Sequence, residues 1–297
     1  MLRLELDELS LDLDDIPPPL DAMLHVTEVD WGFPEIRAVA EAKVGRSGEI
    51  DKTKHTGPRV ITITGKLALG EEDSDGRDRW HQRDAVQRSL GPFLSPRVRP
   101  YLYGVFAGVE RRIQVRADDV SWPEQANVID WSINFKAPDG LIEGPLNEVY
   151  IAPEIPLDGF EFDIPNVGWP SDVLIQFPPG DATFVMCHNN GTELADWTAK
   201  IYGPCLKPEL VNLTTGERVS LSRNPSWIPQ GQYVEVSSAD HTVLMGSLRE
   251  NSRWGWVDFE ASDWWQLPPG PSAVQMKVED WVLPAHTAFS WRDAYLL

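Results

Sequence analysis

Serine, histidine, cysteine and carboxylate side chains are the groups that could do covalent or metal chemistry in this chain. Gly45-Arg46-Ser47-Gly48 places a serine near glycines. The G-x-S-x-G spacing that holds a nucleophile at a strand-to-helix elbow is missing, and no helical pattern follows, so turn chemistry accounts for the run. His25, His55, His81, His188, His241 and His286 include no pair three or four residues apart. No local zinc pair can form from them, although a site assembled from distant histidines stays open. Asp118-Asp119, and Asp12 with Asp14-Asp15, carry the groups that glycoside hydrolysis or calcium binding uses. Hydrolysis needs two carboxylates set across a cleft, and calcium loops need a repeated oxygen spacing that no D-x-D-x-D-G run supplies. With 46 acidic residues in the chain, such pairs arise by chance; a solvated face or a subunit junction is the plainer reading. Gly65-Lys66-Leu67 follows a strand pattern but lacks the G-x-x-x-x-G-K-S/T frame that cradles phosphate. No catalytic, metal or cofactor-binding residue is assigned, and neither enzyme activity nor a cofactor is expected.

What stands out instead could make contacts. Lys52, Lys54, His55 and Arg59 form the one compact basic stretch, suited to an acidic neighbouring subunit or to ordinary solvation. The chain has 13 Trp against 5 Met. Such rings supply large contact area at low conformational cost, in cores and at interfaces alike. Trp254-Gly255-Trp256 and Trp264-Trp265 are the densest clusters, candidates for an aromatic interface or a sugar-stacking platform. In a strand Trp254 and Trp256 would share a face, while Trp264 and Trp265 would point apart.

The elements that must carry these residues are mainly strands. Leu2, Leu4, Leu6 and then Leu9, Leu11, Leu13 alternate with polar residues, with a phase slip at Glu8-Leu9 that fits a bulge or tight turn. Pro17-Pro18-Pro19 stops regular pairing. Val60-Ile61-Thr62-Ile63-Thr64 is β-branched throughout, the strongest strand signal, and Glu49 to Pro58 reads as an exposed loop. One helix is expected, capped by Asp78, running through Trp80, Arg83, Val86 or Gln87, and Leu90, and ended by Gly91-Pro92. Strands resume at Pro100 to Phe106, Arg111 to Ala117 and Asp130 to Lys136. Gly144 to Pro156 is broken by proline and is the best boundary.

Beyond it, short strands are expected at Asp172 to Phe177, Thr183 to His188, Ala199 to Tyr202, Glu209 to Asn212 and Arg218 to Leu221. Tyr233 to Ser237, Val243 to Gly246, Ala273 to Val278 and Ala288 to Trp291 complete the set. Gly/Pro turns between so many short strands describe a sandwich.

At 297 residues and 42% apolar composition, the chain can bury a substantial core. A formal charge of -20 repels nucleic acid and anionic membranes at long range. No apolar run reaches membrane-spanning length, and no signal-peptide pattern opens the chain, so synthesis and assembly in a cytosol are expected. Cys187 and Cys205 lack CxxC spacing and read as two buried thiols; a bridge between them would need geometry that spacing does not supply.

In order along the chain come VGRSGEID, VITITGKL, RRIQVRADDVSW and WSINFKAPDG. IYGPCLKPELVNLTTGERVSL, WWQLPPGPSAVQMKV and the ending AFSWRDAYLL follow. This series resembles the distal tail proteins of siphophages, also described as phage minor tail or tail-hub proteins. The resemblance spans both halves through several weak motifs. It implies a mainly β fold: residues 1–145 as a ring-forming antiparallel β belt domain with one helix, and residues 146–297 as a peripheral β-sandwich like galectin or a carbohydrate-binding module. It implies a structural hub joining the tail tube to tail-tip or baseplate components, as a homohexameric ring at the distal end of the virion tail. The implied partners are the tail tube protein, a tail-tip hub or tape-measure protein, and in some phages a receptor-binding protein or a host surface glycan. Neither nucleic acid binding nor membrane insertion is expected. The GEIDKTKHTG segment is then a candidate contact with neighbour or tube, and the terminal WRDAYLL a candidate pin onto the first domain. A carbohydrate-binding surface module is the alternative, and a glycan-cleaving enzyme a weaker one.

Overall fold

The computed structural model describes residues 2–13, 23–42, 49–68, 79–122, 128–153, 161–162, 175–176, 184–224, 226–246, 251–281 and 285–297. Asp14, Asp15, the Pro17–Pro19 run, the Gly45–Gly48 turn, Asp78 and most of the expected Asp172–Phe177 strand lie outside them. The chain divides into two compact units, one made of Met1–Pro145 with Ala294–Leu297 and the other of Leu146–Asp293.

The first unit opens with β1 (Arg3–Leu6) and β2 (Leu9–Asp12), paired antiparallel. The phase slip in the leucines is the tight turn between them, where Asp7 takes φ 52°. There follow β3 (Met23–Asp30), β4 (Ile36–Ala42), β5 (Glu49–Thr56), β6 (Arg59–Ala68) and α1 (Arg79–Leu94). Next come β7 (Tyr101–Phe106), β8 (Val109–Gln114), β9 (Arg116–Ser121), β10 (Val128–Ala137) and β11 (Ile142–Ile151), which passes into the second unit after Pro145. One sheet runs β2-β1-β7-β8 and a second runs β3-β6-β10-β9. The inward residues Leu4, Leu102, Ile113, Ile61, Ile63, Ile133 and Phe135 share one core with Val86, Leu90 and Phe93 of the helix. The period of two in β6 and β10 aims alternate side chains at that core.

Four expectations change here. Glu49 to Thr56 is a strand paired with β4, not a loop; its polar residues satisfy backbone pairing as well as apolar ones do, and Ile50, Thr53 and Thr56 favour extended backbone. The helix continues through Gly91 and Pro92 to Leu94. In the final turn Pro92 forgoes one bond, and burial of Phe93 offsets it. Arg111 to Ala117 is split at Val115 into two strands of different sheets; buried Val115 turns the corner and donates its N–H to the Pro100 carbonyl at 2.9 Å. Finally, β11 runs unbroken through exposed Pro145, two residues past the Glu143–Arg112 pairing with β8.

The second unit holds two short strands, β12 (Glu161–Phe162) and β13 (Ile175–Gln176), paired with each other. Its main strands begin with β14 (Phe184–Asn189), β15 (Trp197–Tyr202), β16 (Cys205–Leu206), β17 (Glu209–Asn212), β18 (Arg218–Ser220) and β19 (Trp227–Ile228). They end with β20 (Tyr233–Ser237), β21 (Thr242–Met245), β22 (Gly270–Lys277), β23 (Asp280–Trp281) and β24 (His286–Tyr295), the last running on into the closing residues of the first unit. One antiparallel sheet runs β24-β15-β20-β21, another β14-β22-β17-β18, and β16 lies between β19 and β23. The two larger sheets meet through Thr287 and Met276, whose Oγ1 and Sδ are 3.0 Å apart, and through Trp291, whose indole donates to the His188 carbonyl at 3.2 Å. Trp197, Trp265 and Phe289 fill the space with rings 4.6 to 5.9 Å apart. The Trp197 indole donates to the Trp265 carbonyl at 2.9 Å, so the largest buried side chain also has its polar atom satisfied.

Candidate interaction surfaces

The basic stretch is divided by its strand assignments. Lys52, Lys54 and His55 lie on β5, opposite β4, where His55 pairs with Arg37 and Lys54 with Ala38. Arg59, the first residue of β6, has a different role. It is fully buried, and its guanidinium donates from Nε to the Gly140 carbonyl at 3.0 Å and from Nη1 to the Trp31 carbonyl at 3.5 Å. Its Nη2 donates to the carbonyl of Leu296. Burial lowers its pKa from the ordinary arginine value, but a guanidinium stays charged in proteins and here has carbonyls on every side. Arg59 therefore ties three distant segments of the first unit together and does not present its charge to a neighbour.

The solvent side of β1, β7 and β8 is a ladder of arginines laid on aromatic rings. On it Arg3 lies over Tyr103 at 4.3 Å and Arg112 over Tyr101 at 3.9 Å; Arg111, on the opposite face of β8, lies over Tyr295 at 3.6 Å. Carboxylates complete it: Arg112 Nε meets Glu143 at 2.8 Å, and Arg3 meets Glu110 at 3.4 Å. For Arg112, burial acts to lower the pKa, while Glu143, Tyr103 and Tyr101 act the other way, with a net rise. Register explains the ladder, because Arg3, Tyr103 and Arg112 lie directly across from one another on three adjacent strands. The sequence signal was present in the polar phase of those strands, where Tyr101 and Tyr103 flank core Leu102 and Arg112 precedes core Ile113. The apolar phase of the same strands carries no trace of it.

The tryptophan clusters also separate. Trp265 is buried beside Trp197 and Phe289. Trp254 and Trp256 belong to a 3-10 turn, not a strand, so strand alternation does not apply to them. Trp256 is half-buried beneath Arg253, 5.6 Å from its ring. Trp254 is 42% exposed and stacks on half-buried Trp264 at 5.9 Å with 10° between planes. His241 stacks on Trp264 at 4.9 Å and 17°, and Phe259, 46% exposed, tilts against Trp254 at 5.2 Å. Three loops thus bring four rings together: the β20–β21 turn, the 3-10 turn, and the segment leading to Trp265. Of the four expected tryptophans, the structure joins Trp254 and Trp264, and adds His241 and Phe259, which no local spacing could have pointed to.

Among the described residues no group of three or more His, Cys, Asp or Glu side chains could hold a metal ion. Both thiols are free and buried.

Neither a protein-family model nor a curated protein sequence matches the chain. Solved structures do. The crystal structure of the Dit (gp 19.1) protein of phage SPP1, described as a paradigm of the hub adsorption apparatus in phages infecting Gram-positive bacteria, aligns over 99% of each chain with a TM-score of 0.61 and 12% identity. The chain has the Dit fold. A chain of the phage p2 baseplate in its activated conformation with strontium aligns over 98% of this chain and 97% of its own, with a TM-score of 0.52 and 10% identity. The calcium form of that baseplate gives a TM-score of 0.50 at 10% identity. The resemblance read from the ordered motifs is borne out at the level of fold, and the Dit fold accounts for both units.

Proposed function

We propose that this protein is a structural hub at the distal end of a phage tail, joining the tail tube to tail-tip or baseplate components. The observation that carries this reading is the end-to-end match with SPP1 Dit, 99% of each chain, which takes in both units together. A match confined to one β unit would be weak support, since small β units recur in proteins of unrelated function; a match in the order and pairing of both is far more restrictive. In this reading the first unit builds a homohexameric ring and the second is a peripheral, galectin-like or carbohydrate-binding-module-like sandwich. Partners are further copies of the chain, the tail tube protein and a tail-tip hub or tape-measure protein, within the virion and in the host cytoplasm during assembly. The β4–β5 hairpin bearing Lys52, Lys54 and His55 is the candidate contact with neighbour or tube. Closing a ring covers the sheet edges that a lone subunit leaves open, and the role asks for no covalent chemistry.

The mass of the purified protein by light scattering, followed by negative-stain imaging, tests the proposal. A six-fold ring is expected, with antibody against the chain labelling one end of the tails in virions that encode it. A stable monomer whose antibody leaves tail ends unlabelled would overturn it.

A further inference from the structure

The four-ring cluster of the second unit has neighbours that say what it would hold. Asp240 precedes His241, Glu260 follows Phe259 and Asp263 precedes Trp264, and all three carboxylates are exposed. None of the three has an ion-pair partner among the described residues. Exposed tryptophan and phenylalanine, flanked in sequence by carboxylates that have no ion-pair partner among the described residues, form a surface complementary to a guanidinium, which takes a ring face and a carboxylate at once. The chain already uses this pairing internally, in Arg112 between the Tyr101 ring and Glu143 and in Arg3 between the Tyr103 ring and Glu110.

We infer that the surface around Trp254 and Trp264 docks an arginine-bearing segment of a partner protein. Tryptophan and arginine are the residues most enriched where binding energy concentrates. A neutral saccharide could also lie on these rings, but it would bring no cation to three carboxylates that have no ion-pair partner among the described residues, on a chain whose formal charge is -20. The charge decides for the cationic partner.

The test uses the full chain and a peptide carrying two arginines separated by one glycine, with citrulline and lysine counterparts, read by the indole N–H signals of Trp254 and Trp264 in solution NMR. The arginine peptide is expected to shift both signals, and citrulline replacement to weaken binding about fivefold. The lysine peptide should bind between the two. Combined Asp240→Asn, Glu260→Gln and Asp263→Asn changes should weaken it by a similar factor, while Asp118→Asn with Asp119→Asn, exposed in the other unit, should leave it unchanged. Trp254→Ala should abolish the shift at Trp264; because the carboxylate variants alter only exposed groups, the test survives if that variant fails to fold. Equal weakening by the Asp118/Asp119 control, absence of any shift, or a shift produced by an N-acetylglucosamine trimer and not by the peptide would each overturn the inference. Ring assembly is read separately by mass, so failure here leaves the hub reading standing, and failure of the ring leaves this one.

Discussion

The guanidinium of Arg59 donates a hydrogen bond to the backbone carbonyl of Leu296, 237 residues further along the chain. The same side chain holds the carbonyls of Gly140 and Trp31, and Arg111 holds the carbonyl oxygen of Leu297 at 3.0 Å while lying over the Tyr295 ring. The first unit is thus completed by the last four residues of the chain. A buried charge is tolerated only when its donors are met, so Arg59 and the returning segment depend on each other.

Replacing Arg59 by methionine should destabilise the first unit by roughly 3 kcal/mol, because three carbonyls lose their donor while the apolar stem keeps its packing. Arg59→Lys should recover only part of this, since an ammonium cannot span all three acceptors. Deleting Leu296 and Leu297 should destabilise the same unit. The two changes together should cost less than their sum, by about 1 kcal/mol or more. Urea denaturation of the four proteins measures the cycle; strict additivity would show that the contact contributes nothing.

Gly65 of β6 lies directly opposite Trp131 of β10, whose indole lies across it. A Cβ on Gly65 would overlap that indole and the backbone carbonyl of His25. The carbonyl belongs to a paired strand and cannot move aside. Gly65→Ala should therefore destabilise by about 2 to 4 kcal/mol, more than the cost of overpacking a yielding site. Gly91→Ala, where nothing lies within 4 Å, should be neutral or stabilising because it removes helical glycine. If both changed the unfolding midpoint alike, the close approach in β6 would be refuted.

Strand positions were legible wherever one face is core and the other wet, as in β6, β10, β15 and β20, because period-two patterning is a local property. The loss of phase at Glu8-Leu9 even located a turn. Elements defined by pairing alone were not legible: β5 carries lysines and threonines with no apolar phase, and only its partner β4 makes it a strand. Pro92 and Pro145 show the converse limit, since a proline does not by itself end an element: the helix runs on past Pro92 and the strand past Pro145. Contacts across many residues were least visible. Nothing near Arg59 in sequence points to Leu296, and His241 and Phe259 join Trp254 and Trp264 only through the folding of three loops.

Trp197 occupies the centre of the second unit, its ring 4.6 Å from Trp265 and 5.2 Å from Phe289. Trp197→Phe removes the donor to the Trp265 carbonyl and leaves part of the indole volume empty. A loss of about 2 to 3 kcal/mol is expected, against 3 to 5 for Trp197→Ala, roughly. Trp254→Phe, at the exposed stack, should change stability by less than about 0.5 kcal/mol. Thermal unfolding of the three variants gives the comparison; similar shifts for Trp197 and Trp254 would contradict the difference in burial.

The two thiols carry a pH dependence whose sign can be worked out. Burial pushes Cys187 and Cys205 up to about 12 from an ordinary value of 9.0. In the unfolded chain both thiols lose their protons as pH rises past about 9, while in the native protein they keep them. The native state then holds more protons than the unfolded one, so stability falls as pH rises from about 9 toward 12, by up to about 1.4 kcal/mol per pH unit for each thiol. Replacing both cysteines by alanine should remove this slope, whatever it does to stability at neutral pH, and the single variants should each remove about half. Reactivity follows the same reasoning, since the thiolate is the nucleophile. At pH 8 an aromatic disulfide reagent should leave the native protein unmodified and label both thiols once urea unfolds it. Rapid native labelling, or an alkaline slope unchanged in the double alanine variant, would mean that the thiols are not held neutral by burial.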